Sequence, residues 1–168
     1  MTLLPFGPRI MPGRVHQINV SDGGVPKLPV KAAFFSHTGV SGDRQADRVH
    51  HGGPDQTVCV YSLEVIKALQ NEGHPISAGY AGENLTVAGL DWSEVRPGVR
   101  LRAGESVLEI TYPTTPCSKN ARWFVGGRFD RMHDVKHPGW SRMYARVLEE
   151  GWVRTGDPVE MTVQEETE

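Results

Sequence analysis

A chain of 168 residues with 38% hydrophobic content can bury one core, and domains commonly run to roughly 100–200 residues, so a single domain over residues 1–168 is expected, its ordered core spanning residues 14–163. Eighteen basic residues against twenty acidic ones exclude the dominant basic surface that general nucleic-acid binding needs. Nineteen Gly and twelve Pro predict short strands and many turns, while no apolar run is long enough to span a bilayer.

In chain order, the start MTLLPFGPRIMPG is interrupted by Pro and Gly and has no basic stretch before its apolar residues, so no secretory leader is expected. Arg14–Ser21 (RVHQINVS) reads as a first strand, stopped by Asp22-Gly23-Gly24. Val30–Ser36 reads as a second, ahead of a long polar loop that runs to Gln56. Thr57–Tyr61 (TVCVY) is nearly continuously apolar, the pattern of a strand buried on both faces. Ser62 then caps a helix with Leu63, Val65, Ile66 and Leu69 at helical spacing, Glu64 in its first turn and Gly73 as its stop. After GENLTVAG come Val99–Ala103 and Val107–Tyr112, joined by a hairpin turn at Gly104-Glu105. Ser118–Val125 suits a helical turn with Trp123 and Phe124 packed inward. Ser141–Leu148 and Pro158–Val163 close the chain as strands before a frayed acidic tail. The fold class is mainly β: a closed or nearly closed β-barrel with a few short peripheral helices.

Two cysteines far apart in sequence make no disulfide framework, so a reducing, cytoplasmic setting is expected. Cys59 lies inside an apolar strand and reads as core. Cys117 differs. Pro113 and Pro116 each fix a backbone angle and restrict the preceding residue, so the thiol is held in one place. Lys119, or Arg122 if it turns back, would favour a thiolate there. A fixed thiolate serves as nucleophile, redox centre or metal ligand; the plainer alternative is an inert packed thiol.

Three further clusters are candidates. His50-His51-Gly52-Gly53-Pro54-Asp55 offers two glycines whose backbone can approach a ligand and present successive N–H groups to an anion; its plainer reading is a solvated turn. Gly82-Glu83-Asn84 puts a carboxyl and an amide at a strand mouth, or forms an ordinary turn. The stretch from Arg128 to Arg142 gathers cations, histidines and aromatics as phosphate-binding patches do, although a solvated loop has the same composition. No CxxC, HExxH or helically spaced His pair marks a zinc site held by protein alone.

Taken in order, the motifs resemble a MOSC domain, the module named for the C-terminal part of molybdenum-cofactor sulfurases. They are Gly23-Gly24-Val25-Pro26-Lys27, Gly39-Val40-Ser41-Gly42-Asp43-Arg44, His51 through Gln56, Gly82 through Leu85, Pro116-Cys117, Pro138 through Leu148, and Gly151 through Val159. The series covers nearly the whole chain and is similar to stand-alone bacterial members. Some branches of the family carry an Arg two residues before the Pro-Cys pair, where this chain has Thr114.

The resemblance implies a strand-rich barrel whose reactive cysteine serves the molybdenum cofactor, a molybdenum atom held by the dithiolene of a pyranopterin phosphate. It implies reduction of N-hydroxylated compounds such as hydroxylated purines, with Cys117 as the molybdenum ligand. His51, Gly52, Gly53 and Asp55 would line the site. Glu83 and Asn84 would orient cofactor or substrate, and Lys27, Arg128 and Arg142 would meet the phosphate. The small-molecule substrate would be reduced with electrons from a separate reductase, with no nucleic acid or membrane as partner. At family level, pyridoxal phosphate binding is also implied. Two other classes of function remain open: a non-catalytic carrier of cofactor or sulfur on Cys117, and a thiol hydrolase with His51 or His133 as base.

Overall fold

The structure, a computed structural model, describes residues 9–44 and 53–163. Among these residues, seven strands close a barrel and short helices decorate it, in agreement with the expected class. Strand β1 (Arg9–Val20) is long because it serves two partners in succession. Its first half pairs with β11 (Pro158–Val163) and its second with β6 (Leu85–Ala88), so the ends of the sheet join through one chain. The circuit continues from β11 through β7 (Arg100–Ala103), β8 (Ser106–Pro113), β9 (Met143–Glu149) and β5 (Val58–Ser62) back to β6. Closure leaves no long open edge on this sheet.

β2 (Leu28–Val30) hangs on the outside of β1. β10 (Gly151–Arg154), β3 (Ala32–Ser36) and β4 (Gly39–Val40) form a small second sheet. The expected single strand over Val30–Ser36 is therefore two strands in different sheets, broken at Lys31, which takes a bend between them. The first strand starts at Arg9 rather than Arg14, and the strand expected from Ser141 begins at Met143. β4 and β10 were not expected; β4 spans only two residues, too few to show a period.

The barrel strands pair antiparallel except β5 and β6, which run parallel. A parallel pair needs a crossover, and the helix α1 (Leu63–Asn71) supplies it. Ser62 caps that helix, its Oγ accepting from Val65 N–H at 3.2 Å, and Leu63, Ile66 and Leu69 form its buried face. Gly73, at φ 97°, ends the segment in a conformation that favours glycine. With a helix outside and the barrel core inside, all residues of β5 and β6 are buried, which accounts for the continuous apolar run of TVCVY. The hairpin strand β7 instead alternates, with Leu101 and Ala103 inward and Arg100 and Arg102 outward. Ile18, Val60, Leu85, Leu101, Leu108, Val159 and Met161 fill the interior.

One level of the barrel sets the position of the site. Ile18 pairs with Leu85, Leu85 with Val60, Val60 with Met143, and Met143 with Pro113, a single rung across five strands. The β8–β9 register shifts between Ile110 and Pro113, so the chain leaves β8 through an irregularity just before Cys117. No helix among the described residues is long and apolar enough to cross a membrane.

Candidate functional site

Residues beside that rung build a polar chamber from five strand ends. Asn84 extends the parallel ladder by one step: its N–H donates to the Cys59 carbonyl at 2.8 Å, and its Oδ1 accepts from Cys59 N–H at 3.1 Å. The Asn84 amide then donates to Asp43 Oδ2 at 2.9 Å. Asp43 Oδ1 accepts from Ser21 N–H at 2.9 Å and holds Lys27 Nζ at 2.6 Å. Both side chains of this ion pair are at least nine-tenths buried, and the carboxylate has three donors around it. It is satisfied.

Arg142 is different. It is 6% exposed and donates from Nη1 to the Ala81 carbonyl at 2.7 Å. Its Nε has no hydrogen-bond partner, and among the described residues no carboxylate lies within ion-pair distance of its guanidinium. Glu83, the nearest acid in the chain segment it covers, is fully buried and accepts from the Thr86 hydroxyl at 3.1 Å through Oε2, while Oε1 is unpartnered. Burial pushes the Glu83 carboxyl above the ordinary carboxylate range; backbone N–H groups of Gly79 and Glu83 and the charge of Arg142 only partly oppose this. Among the described residues the cluster therefore holds a cation with no carboxylate paired to it.

Cys117 is tied to this cluster through its neighbours in the chain. It opens the 3-10 turn Ser118–Trp123 in extended backbone (φ −122°, ψ 167°). Asn120 N–H donates back to the Cys117 carbonyl at 2.9 Å, and the buried Asn120 amide donates to the Ala81 carbonyl at 3.2 Å. The same carbonyl receives Arg142, so the turn bearing the thiol and the buried cation share an anchor. Upstream, Thr114 N–H donates to the Arg142 carbonyl at 2.9 Å, and the Thr114 carbonyl accepts from the Ser141 hydroxyl at 3.1 Å. Both flanks of Cys117 are therefore fixed, while its side chain remains half-buried rather than sealed.

Cys59 is buried as expected, but its surroundings are polar. Its Sγ lies 3.7 Å from the Thr114 hydroxyl, and Arg142, Glu83 and Lys27 all act on it; burial raises its thiol pKa above the usual range. Tyr144, the strand partner of Cys59, feels both sulfur atoms, and burial raises its phenol too.

The other sequence candidates fall in three groups. His51 and Gly52 lie outside the described residues. Gly53 (φ 89°) leads into the exposed turn Pro54–Gln56, where Asp55 Oδ1 is 3.7 Å from Arg146 Nε and the Asp55 carbonyl accepts from the Thr111 hydroxyl at 2.6 Å. The cationic stretch after Gly127 is divided. Arg131 pairs with Glu72 at 2.8 Å and lies 3.8 Å over the Trp140 ring. Lys136 reaches Asp130 at 3.4 Å, His133 Nδ1 accepts from Val135 N–H, and Arg128 is exposed. Of its four cations, only Arg142 is buried. Lys119 is exposed, and Arg122 donates to the Val25 carbonyl and lies 4.7 Å over Trp123.

Sequence reasoning overlooked Asn120 and Asp43 as parts of the site, although Asp43 lies within a motif it had singled out and Asn120 in the helical turn expected after Cys117. It also gave no hint that Thr114 and Cys59 would meet.

Among the described residues no three of His, Cys, Asp and Glu group to hold a bare metal ion. An anionic guest bringing its own sulfur ligands fits what is present: one half-buried thiol and a buried guanidinium with an unused N–H.

Comparison with known proteins agrees with this architecture. The MOSC domain model matches residues 47–160. The uncharacterized protein YflK of Bacillus subtilis strain 168 is 40% identical over 140 residues, covering 82% of this chain and 62% of that protein. Protein YiiM of Escherichia coli K12 is 32% identical over 133 residues, covering 76% of this chain and 58% of that protein. The matches thus span about three-fifths of the length of both relatives. The crystal structure of YiiM from Geobacillus stearothermophilus superposes with a TM-score of 0.71 at 28% identity, covering 90% of this chain and 75% of that one. The YUAD protein of Bacillus subtilis, at 17% identity and a TM-score of 0.72, shares the fold. On the family match and the identity to these relatives, the chain belongs to the MOSC domain family.

Proposed function

We propose that this protein binds the molybdenum cofactor and reduces N-hydroxylated compounds, with the Cys117 thiolate as the protein's ligand to molybdenum. The observation that carries this reading is the buried Arg142, whose Nε is unpartnered and which has no paired carboxylate among the described residues, together with a half-buried thiol whose turn shares its Ala81 anchor. A buried charge without a partner costs several kcal/mol, a cost that an anionic guest such as a pterin phosphate would remove. A soft thiolate suits molybdenum, and one is enough when the organic cofactor supplies the remaining sulfur ligands. When bound, the cofactor supplies a redox-active metal able to exchange two electrons with substrate.

The chain's own residues then have separable tasks. Pro113, Pro116 and the bonds of Thr114 and Asn120 hold the thiol still, so little ordering is needed when it binds metal. Arg142 receives the anionic end of the cofactor. Lys27, neutralised by Asp43, adds a fixed wall more than net charge. Asn84 and Glu83 orient the guest, and the family resemblance assigns His51, Gly52, Gly53, Asp55 and Arg128 to the approach. The overall change converts R–NH–OH, two protons and two electrons into R–NH2 and water, with the electrons drawn from a separate reductase.

The test is to purify the protein from cells that make the cofactor and to follow reduction of a hydroxylated purine with a chemical reductant. The wild type should turn over and Cys117→Ala should not. Equal activity in the two would remove Cys117 from the reaction.

A further inference from the structure

Between β8 and β9 the chain makes one long excursion, from Thr114 to Arg142, and Cys117 lies on it. The excursion has an inner and an outer side. Phe124 and Met132 are buried, and Trp123, Phe129 and Trp140 pack against the barrel core. The outer side exposes Lys119, Arg122 and Arg128, none with a carboxylate partner among the described residues. Val125 and Val135 join them at 58% and 82% exposure. Charge is segregated along the chain in the same way. The excursion holds six basic residues against two acidic ones, a net of +4, and the rest of the chain twelve against eighteen, a net of −6. This side is also held in shape. The turn Ser118–Trp123 packs on Val125–Gly127 and on Phe129–Met132. Val125 N–H donates to His74 Nδ1 at 3.1 Å and Arg131 pairs with Glu72 at 2.8 Å, both just past α1, while Arg122 donates to the Val25 carbonyl.

We propose that this outer side is the docking surface for a small acidic electron-carrier protein. The proposal rests on the reductase reading, which needs a separate electron donor and leaves its place of contact open. Charge selects the occupant. The remainder of the chain repels an acidic partner, so the cationic side orients the encounter. Val125 and Val135 then supply the apolar contact that such a patch needs once the charges have steered it. Because the surface is already ordered, docking costs little conformational entropy. Its small extent gives a weak, quickly released contact, the size class of electron-transfer pairs. Position selects the role: a carrier seated here rests on the same stretch of chain that holds Cys117. Two carriers, each oxidised by one electron, match the two electrons that convert one R–NH–OH and two protons into R–NH2 and water. A nucleic acid is the less favoured occupant, because the negative remainder of the chain repels a polyanion that extends past the patch.

The experiment uses the full chain and, as probe, a purified flavodoxin, a small acidic flavoprotein that carries single electrons. Binding is measured by calorimetry at low and at physiological ionic strength, with cytochrome c, a basic carrier, and single-stranded RNA for comparison. The expected result is flavodoxin binding that weakens as salt rises, with no binding of cytochrome c. RNA should bind at least about tenfold less tightly than flavodoxin. Lys119→Glu combined with Arg128→Glu should weaken flavodoxin binding by at least about tenfold. Lys31→Glu combined with Lys67→Glu changes the net charge equally from exposed positions outside the excursion, and should weaken it by less than about threefold. In cofactor-loaded protein, Val135→Asp should slow reduction of a hydroxylated purine by reduced flavodoxin and leave its reduction by dithionite unchanged. No flavodoxin binding, equal loss in the two double variants, or RNA binding as tight as flavodoxin would overturn the proposal. Turnover with dithionite but no flavodoxin binding sinks the docking surface alone. Flavodoxin binding that maps to the excursion, with no turnover under either reductant, sinks the reductase reading alone.

Discussion

Replacing Arg142 by Met should stabilise the cofactor-free protein. The side chain is 6% exposed, its Nε is unpartnered, and no carboxylate pairs with it among the described residues. Exchanging buried ionic groups for apolar ones of similar volume yields about 1–4 kcal/mol in favourable cases. Against this stands one lost charge-assisted hydrogen bond, Nη1 to the Ala81 carbonyl at 2.7 Å, worth about 1.5–3 kcal/mol. The loss is cushioned because that carbonyl keeps the Asn120 amide at 3.2 Å and is not orphaned. Met is close to Arg in length and flexible enough to fill the space without a cavity. The net expectation is a gain of about 1 kcal/mol, which in a chain of this size raises the melting temperature by about 2–4 °C. Urea and thermal unfolding in mildly acidic buffer read it directly. A destabilisation of about 3–5 kcal/mol would refute the reasoning, because that is the signature of breaking a matched buried ion pair.

Other consequences can be checked on the same material. The folded pKa of Glu83 lies above its ordinary value of 4.5, so the native chain keeps a proton that the unfolded chain releases. Its contribution is full below that value and is lost as pH rises through the folded pKa; in Glu83→Gln this part of the pH dependence of unfolding should disappear. Iodoacetamide should modify half-buried Cys117 in the native protein and reach buried Cys59 only after unfolding, as peptide mass analysis would show; native labelling of Cys59 first would contradict the arrangement. A Cβ at Gly13 would stand 2.6 Å from the Ala88 carbonyl and 2.8 Å from Leu90 Cδ2, in the seam between β1 and β6. Gly13→Ala should therefore cost about 1–3 kcal/mol in urea unfolding, and a neutral substitution would show that the seam can open.

Much of the barrel was legible because strand periods and turn residues are local signals. The capped helix after Ser62, the hairpin around Gly104-Glu105 and the last strand at Pro158–Val163 follow from nearest neighbours in sequence. The break at Lys31 was hidden because Val30 and Ala32 belong to different sheets, and only tertiary pairing separates them. The same division applies to the site. Two prolines announce that Cys117 is held, a property of its own backbone. That Arg142 rather than Arg128 or Arg131 enters the chamber depends on where β9 begins and on Glu72 and Trp140 capturing Arg131 from outside. The polar surroundings of Cys59 needed the fold as well, since Thr114 reaches it across 55 sequence positions.

The most direct measurement is molybdenum content, by elemental analysis, of wild type and Cys117→Ser purified side by side from cells that make the cofactor. The account predicts near-stoichiometric metal in the wild type and its loss in the variant, with thermal unfolding confirming that both are folded. Equal molybdenum in two folded proteins would contradict it.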